Sequence, residues 1–171
     1  MSKTKRLVLI SFFIALQIVL MFLSFPTPFM TMDRLNLAFI PLMLCSAIFG
    51  PIWGGISAVF ADILNFYISG TGGGGMPNPG ITLSALLKGV IYGLILYKKP
   101  LSWKRTILAV AAVGILIDIG LNSIWFITLF NINPQVILTA KIAQRPIFMV
   151  FQTILYYYTA KGVFKSIGKR L

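Results

Sequence analysis

The segment that decides the fold is the first one along the chain. Residues 3–25 read KTKRLVLISFFIALQIVLMFLSF, in which basic residues precede an apolar run from Leu7 to Phe25. About 20 apolar residues are enough to cross the hydrocarbon core of a bilayer. No small-x-small cleavage site follows the run, so we expect a retained membrane-spanning helix rather than a cleaved signal peptide.

Five further apolar segments follow along the chain, which has 171 residues and is 58% hydrophobic. The composition and length predict one domain, an all-α membrane protein built as a bundle of six transmembrane helices. We expect a kink or a tilted entry in the second helix, which contains Pro41. The predicted spans are 7–25, 35–49, 52–69, 81–97, 106–130 and 142–160.

The charges predict the orientation of this bundle. Fifteen Lys and Arg residues face three acids, and eleven of the fifteen lie in the N-terminal segment, the 98–105 loop and the C-terminal tail. Basic clusters beside spans mark cytoplasmic ends, so both termini are expected in the cytoplasm of a multi-pass cell-membrane protein. Because these clusters adjoin apolar spans, we expect them to contact the lipid bilayer, and we expect no nucleic acid partner.

Several chemistries are excluded by residues that the chain lacks. It contains no histidine and a single cysteine, Cys45, so imidazole-based catalysis and an internal disulfide are impossible. A metal site and a bound cofactor are not expected. The glycine run at 72–75 lacks the Gly-Lys-Ser/Thr ending of a phosphate-binding loop, so any ATP-driven step needs a partner.

A set of polar residues is predicted to lie at one depth in the membrane. Asp62, Lys88, Asn122 and Gln152 each fall seven or eight residues from an outer helix end or from Arg145, about 10 Å beneath the outer surface. Polar groups at such depth usually face a cavity or a partner. Two other interpretations stay open: Lys88 and Asp62 neutralise each other, and Asn122 and Gln152 join helices by hydrogen bonds.

Helical spacing groups some of these residues into faces. Asp118, Asn122 and Trp125 share one face of the fifth span, and Arg145 and Gln152 share one face of the sixth. Such a mixture of polar tips and aromatic surface suits a flat, partly polar ring system.

Three cations are predicted to lie above this layer, at an outer mouth. Arg34, Lys141 and Arg145 there would suit an anionic ligand that arrives from outside. Lys141 is alternatively a solvated charge in a loop over 131–141, whereas Pro146 predicts that the sixth helix starts beside Arg145.

Other segments have candidate roles outside the polar layer. The Pro-rich stretch 26–34 and the Gly-rich stretch 70–80 are candidate lids. Ser11 and Ala15 form a small-xxx-small pair on the first helix, which either packs inside the bundle or docks another membrane subunit.

The motifs together resemble one family, the folate-binding S components of energy-coupling factor (ECF) vitamin transporters, over residues 7–160. The residues that carry the resemblance are IFGPIWGG from Ile48, ADIL from Ala61, PGITLSA from Pro79, GVIYG from Gly89 and LNSIW from Leu121. In that family the docking motif is Ala-xxx-Ala, where this chain has Ser11 and Ala15, and Lys88 replaces a residue that is often small.

The resemblance implies a non-enzymatic subunit that captures folate from outside, in a pocket in the outer half of the membrane. It also implies a transmembrane coupling protein and two cytoplasmic ATPase subunits as partners. Within the pocket, cations would hold the glutamate tail of folate and the aromatic-polar layer its pterin. Alternatives are another vitamin, such as pantothenate or a thiamine precursor, and more remotely a membrane enzyme or a ligand-free scaffold.

Overall fold

The computed structural model describes residues 3–26, 34–68, 78–130 and 133–166, and this part of the chain is mainly helical. One stretch of π-helix, called the π segment below, joins two of the helices without a break. The elements are α1 Lys3–Phe22, β1 Ser24–Pro26, β2 Arg34–Asn36, α2 Phe39–Phe49, α3 Pro51–Ile68, α4 Pro79–Leu96, α5 Trp103–Ala112, the π segment Val113–Leu121, α6 Asn122–Phe130 and α7 Pro134–Ser166.

The described helices include four that are long and apolar enough to cross a membrane: α1, α3, α4 and the continuous Trp103–Thr128. The helix α2 is apolar but shorter. Large apolar side chains such as Ile52, Leu94 and Leu116 point outward and are more than half exposed. An outward apolar surface of this kind suits lipid rather than water.

Helices α3 and α4 pack with their backbones in close contact. A Cβ atom added to Gly89 would collide with the main chain of Gly54 and Gly55, and one added to Gly93 would collide with Pro51. Small residues permit this approach, which compensates for the weak hydrophobic drive between helices in lipid. The interface fixes the relative positions of Asp62 on α3 and Lys88 on α4.

Two helices begin with the same Asn-Pro pair. The side-chain Oδ1 of Asn78 accepts a hydrogen bond from the Gly80 amide, and that of Asn133 accepts one from the Gln135 amide, each at 2.9 Å. Proline follows at the first helical position, where its missing N–H leaves no bond unmade. This pair therefore defines the starts of α4 and α7.

The start of α7 corrects two predictions. Residues 134–141 are helical rather than part of a loop, and Pro146 lies inside α7 rather than at its beginning. Because Asn133 caps the helix, α7 begins about three turns before Pro146.

The position of Pro41 within α2 differs from the expected kink. The helix begins at Phe39, so Pro41 lies in its first turn, where backbone N–H groups have no partner within the helix. The preceding residues Arg34–Asn36 pair antiparallel with Ser24–Pro26, which joins α1 to α2 through a two-stranded ladder. Of the two predicted lids, residues 27–33 and 70–77 lie outside the described residues.

Arg6 has a structural contact besides its predicted role as a topology signal. Its Nη2 donates to the main-chain oxygen of Phe49 at 3.2 Å, and its guanidinium lies 4.7 Å from the ring centre of Trp53. A cation at the last carbonyls of a helix is favourable. Arg6 therefore ties the start of α1 to the turn between α2 and α3.

Candidate functional site

The π segment carries the buried carboxylate at the centre of the candidate site. Asp118 lies within Val113–Leu121 and is 5% exposed. The extra residue per turn of a π-helix changes which side chains face inward, and such segments frequently occur at functional sites.

Four side chains from three other helices converge on Asp118. Its Oδ1 lies 2.7 Å from the Nζ of Lys88 and accepts a hydrogen bond from Asn122 Nδ2 at 3.3 Å. Its Oδ2 lies 2.6 Å from Arg145 Nη1. Its main-chain oxygen accepts a hydrogen bond from the Nζ of Lys141 at 2.9 Å. These five residues are called the Asp118 cluster.

The Asp118 cluster brings three cations to one carboxylate. Lys141 and Arg145 are 1% and 7% exposed, whereas the side chain of Lys88 is 29% exposed. Buried charges need partners because removal from water costs several kcal/mol per ion. The excess of cations therefore makes this position attractive to an anion, and Lys88 is the most accessible of the three cations.

Asp62 does not form the ion pair with Lys88 that was one interpretation of the sequence. Its Oδ2 accepts a hydrogen bond from Thr82 Oγ1 at 2.8 Å, whereas Lys88 pairs with Asp118. Thr82 and Lys88 are six residues apart on α4, which separates them by about 9 Å along the helix axis. Asp62 therefore lies toward the N-terminal end of α4, beside the cluster rather than inside it.

Lys141 is not a solvated loop charge, and that interpretation is wrong. It lies in α7, is 1% exposed, and its Nζ also approaches the ring centre of Phe126 at 4.7 Å. Lys141 and Arg145 were predicted above the polar layer. They instead meet Asp118 within it, because α7 begins early enough to place both on its inward face.

Trp125 lies against the first turn of α4. A Cβ atom added to Gly80 would lie 2.5 Å from the indole Cδ2, so the glycine backbone covers one face of the ring. The indole Nε1 is buried and has no hydrogen-bond partner in the described part of the chain. A flat ligand would therefore stack only on the face of Trp125 that is turned away from Gly80.

Gln144 is a buried polar residue that the sequence reasoning missed. It is 3% exposed, and neither its Nε2 nor its Oε1 has a hydrogen-bond partner among the described residues. Its spacing from Lys141, three residues earlier, could have revealed that both lie on one face of α7.

The remaining predicted residues are not joined to the cluster by the described contacts. Gln152 is half-buried two turns beyond Arg145 on α7. Arg34 lies in β2, and its side chain is outside the described part of the structure. Ser11 and Ala15 are exposed, whereas α1 buries Ile10, Phe13 and Gln17, so the internal-packing interpretation of Ser11 and Ala15 is wrong.

Comparisons with known proteins agree on one transporter family. Residues 5–169 match the family model described as "ECF transporter, substrate-specific component". The folate transporter FolT of Clostridium novyi (strain NT) is 33% identical over 164 residues, covering 95% of this chain and 92% of the relative. The riboflavin transporter RibU of Staphylococcus aureus (strain TCH60) is 28% identical and covers 98% of this chain and 87% of the relative.

Two solved structures resemble the whole fold. The structure of FolT bound with folic acid is 33% identical and matches with a TM-score of 0.82, covering 93% of this chain and 94% of that one. The structure of the S component of a bacterial ECF transporter is 25% identical and matches with a TM-score of 0.64, covering 95% of this chain and 99% of that one.

Proposed function

The chain belongs to the substrate-specific components of ECF transporters, and we propose that it captures folate for such a transporter. The observation that carries the folate assignment is the likeness to FolT bound with folic acid, with a TM-score of 0.82 over 93% of this chain. Membership of this family makes the protein the substrate-binding part of a transporter and not an enzyme.

The chemistry of the Asp118 cluster supports folate as the ligand. Folate joins a flat pterin to a glutamate tail with two carboxylates. Three cations around Asp118 suit those carboxylates, and the partly exposed Lys88 is the first that a ligand would meet. The accessible face of Trp125 suits a stacked aromatic ring, so we assign the tail to the cluster and the ring system to Trp125.

Four other predicted residues have supporting roles in the proposed site. Asp62 is positioned by Thr82 at the N-terminal end of α4, and Asn122 orients the Asp118 carboxylate. Gln152 and Arg34 stay predictions, with Arg34 proposed at the outer mouth.

The proposed setting is a six-span bundle in the cell membrane with both termini in the cytoplasm. The short apolar α2 and the long α7 supply the two spans beyond the four apolar helices. The basic clusters at one set of helix ends support this orientation. Delivery then requires a transmembrane coupling protein and two ATPase subunits, and the exposed Ser11 and Ala15 are the proposed docking position on α1.

Riboflavin is the second candidate because one relative is a riboflavin transporter. Riboflavin carries no charge at neutral pH, so it would leave the cations of the Asp118 cluster unused. Pantothenate has a carboxylate but no ring to stack on Trp125. Folate is the one of these three vitamins that would use both parts of the site.

Titration calorimetry of the purified protein with folate tests the proposal. Lys88→Met and Arg145→Met each remove a cation from the cluster, and we expect each to weaken folate binding about ten-fold or more. Lys104→Met is the control, because Lys104 is an exposed residue on α5 and its loss should leave the affinity unchanged. If both cluster variants kept the wild-type affinity, the assignment of the tail to these cations would be wrong.

A further inference from the structure

The buried amide of Gln144 is the polar group in the described chain whose state most needs an explanation. The residue is 3% exposed, and its amide nitrogen and amide oxygen both lack a hydrogen-bond partner within the described ranges. A buried donor or acceptor without a partner is unfavourable, and an apolar side chain of the same size would avoid this. The side chain is therefore suited to a partner that arrives from outside the chain.

The position of Gln144 on α7 indicates where that partner lies. Lys141 and Arg145 are three residues before and one residue after it, on the same buried side of the helix. Both neighbours reach Asp118, at its main-chain oxygen and its Oδ2. Gln144 is thus held within one helical turn of the two most deeply buried cations of the cluster.

A primary amide presents a donor and an acceptor side by side. Its Nε2 donates to a carboxylate, and its Oε1 accepts from an N–H group. An N-acylated amino acid has one group for each atom of the glutamine amide: an N–H for Oε1 and an α-carboxylate for Nε2. The two groups lie side by side because both are attached to the same carbon atom. Cations beside the glutamine would neutralise the carboxylate while the amide fixes its orientation.

We infer that Gln144 is a specificity-determining residue that binds the glutamyl end of the ligand, with Oε1 accepting from its amide N–H and Nε2 donating to its α-carboxylate. This inference rests on the proposed folate function. It adds that the protein distinguishes its ligand by the glutamyl end. It gives the transporter a means to prefer an N-acyl glutamate over a simple aromatic acid, which the cations alone would not provide.

The test compares folate with pteroate, which keeps the pterin and the benzoyl ring but ends in a carboxylate on that ring. In Gln144→Met, a side chain of similar length without the two polar atoms, we expect folate binding to weaken about 5- to 100-fold. Pteroate binding should change by no more than about two-fold, because pteroate lacks the glutamyl N–H and α-carboxylate. Gln144→Leu is the second variant, with the same expectation.

The stability of the ligand-free protein gives an independent measurement. Because the amide has no partner within the described chain, Gln144→Met should keep or raise the midpoint of thermal unfolding without folate. Gln17→Met is the matched control: Gln17 is 1% exposed with an unpartnered Nε2, but it lies on α1, which packs on α2 and α3. Its loss should leave the preference for folate over pteroate unchanged.

Three outcomes would overturn the inference. The first is unchanged folate affinity in both Gln144 variants, and the second is an equal loss for folate and pteroate. The third is a lowered unfolding midpoint without a change in affinity, as expected if the amide has a purely structural role. Failure of the wild-type protein to bind folate would instead contradict the proposed function, so the two failures are distinguishable.

Discussion

At the scale of single residues, Asp118 holds the candidate site together. Its carboxylate contacts Lys88 on α4 and Arg145 on α7, two helices that are far apart in the sequence. Removal of a buried carboxylate with such partners would leave the cations uncompensated, and this would destabilise the structure. The same residue therefore serves both the stability of the ligand-free protein and the placement of the cations for a ligand.

Replacement of Asp118 tests that role. Asp118→Asn keeps the shape of the side chain but leaves Lys88, Lys141 and Arg145 without its charge, and we expect a loss of about 3–5 kcal/mol of stability. Thermal unfolding in detergent, followed by circular dichroism, measures the change. Lys161→Met on the exposed end of α7 is the control, with an expected change within about 0.5 kcal/mol. Equal unfolding midpoints for both variants would show that Asp118 has no such role.

The sequence predicted the identity of the polar residues better than their partners. Lys88 and Asn122 are candidates because charged and amide groups are rare inside apolar spans. Asp118 follows from its helical spacing to Asn122, and Arg145 from its expected place at the outer mouth. Helical spacing predicts that Asp118 and Asn122 share a face. The meeting of Lys88 and Arg145 at Asp118 is not predicted, because it depends on the π segment, which no local sequence pattern indicates. The open interpretation that Lys88 neutralises Asp62 rests on matched depth alone, which ignores the direction in which each side chain leaves its helix.

At the scale of elements, the helices were predictable where apolar length defines them and less so at their polar ends. The bounds of α3 and α4 fall within about two residues of the predicted spans, the margin expected for helix ends. The start of α7 was missed, although Asn133 and Pro134 are the same signal that starts α4 at Asn78 and Pro79. Hydropathy alone did not reveal it because Lys141 and Arg145 interrupt the apolar pattern.

The interface between α3 and α4 gives a prediction at this scale. In Gly89→Ala the new methyl group would collide with the carbonyl of Gly54, a backbone atom that cannot rotate away. The helices must then separate, and we expect a loss of about 1–3 kcal/mol in unfolding experiments.

The matched control for this variant is Gly162→Ala on α7. A Cβ atom there meets nothing within 4 Å, so alanine should stabilise the helix by about 0.5–1 kcal/mol. A loss of stability at Gly162 as large as that at Gly89 would mean that close packing is not the reason for the glycine in α4.

At the scale of the whole molecule, the proposed orientation places the start of α7 outside the cell and its end in the cytoplasm. Gln135 and Ser166 are exposed at these two ends, and the native Cys45 is fully buried. We expect a membrane-impermeant thiol reagent to label Gln135→Cys in intact cells and Ser166→Cys only after the membrane is opened. The opposite labelling pattern would reverse the orientation derived from the basic clusters.

Docking to a coupling protein is also a property of the whole molecule. Ser11 and Ala15 lie on the exposed side of α1, and leucine at both positions would prevent close approach of a partner helix. A cost on the order of 1–3 kcal/mol in association would lower folate uptake by cells about ten-fold, with unchanged affinity in the purified subunit. Leu9→Phe on another side of α1 is the control, and a similar fall in uptake there would argue against a specific docking position.

Identification of the ligand that co-purifies with the protein tests the central claim most directly. We expect one molecule of folate per chain, recognised by its near-ultraviolet absorbance and its mass, and its loss when both Lys88 and Arg145 are replaced by Met. Recovery of riboflavin or pantothenate instead, or of a protein that does not bind added folate, would contradict the assignment of this chain as a folate-capturing subunit.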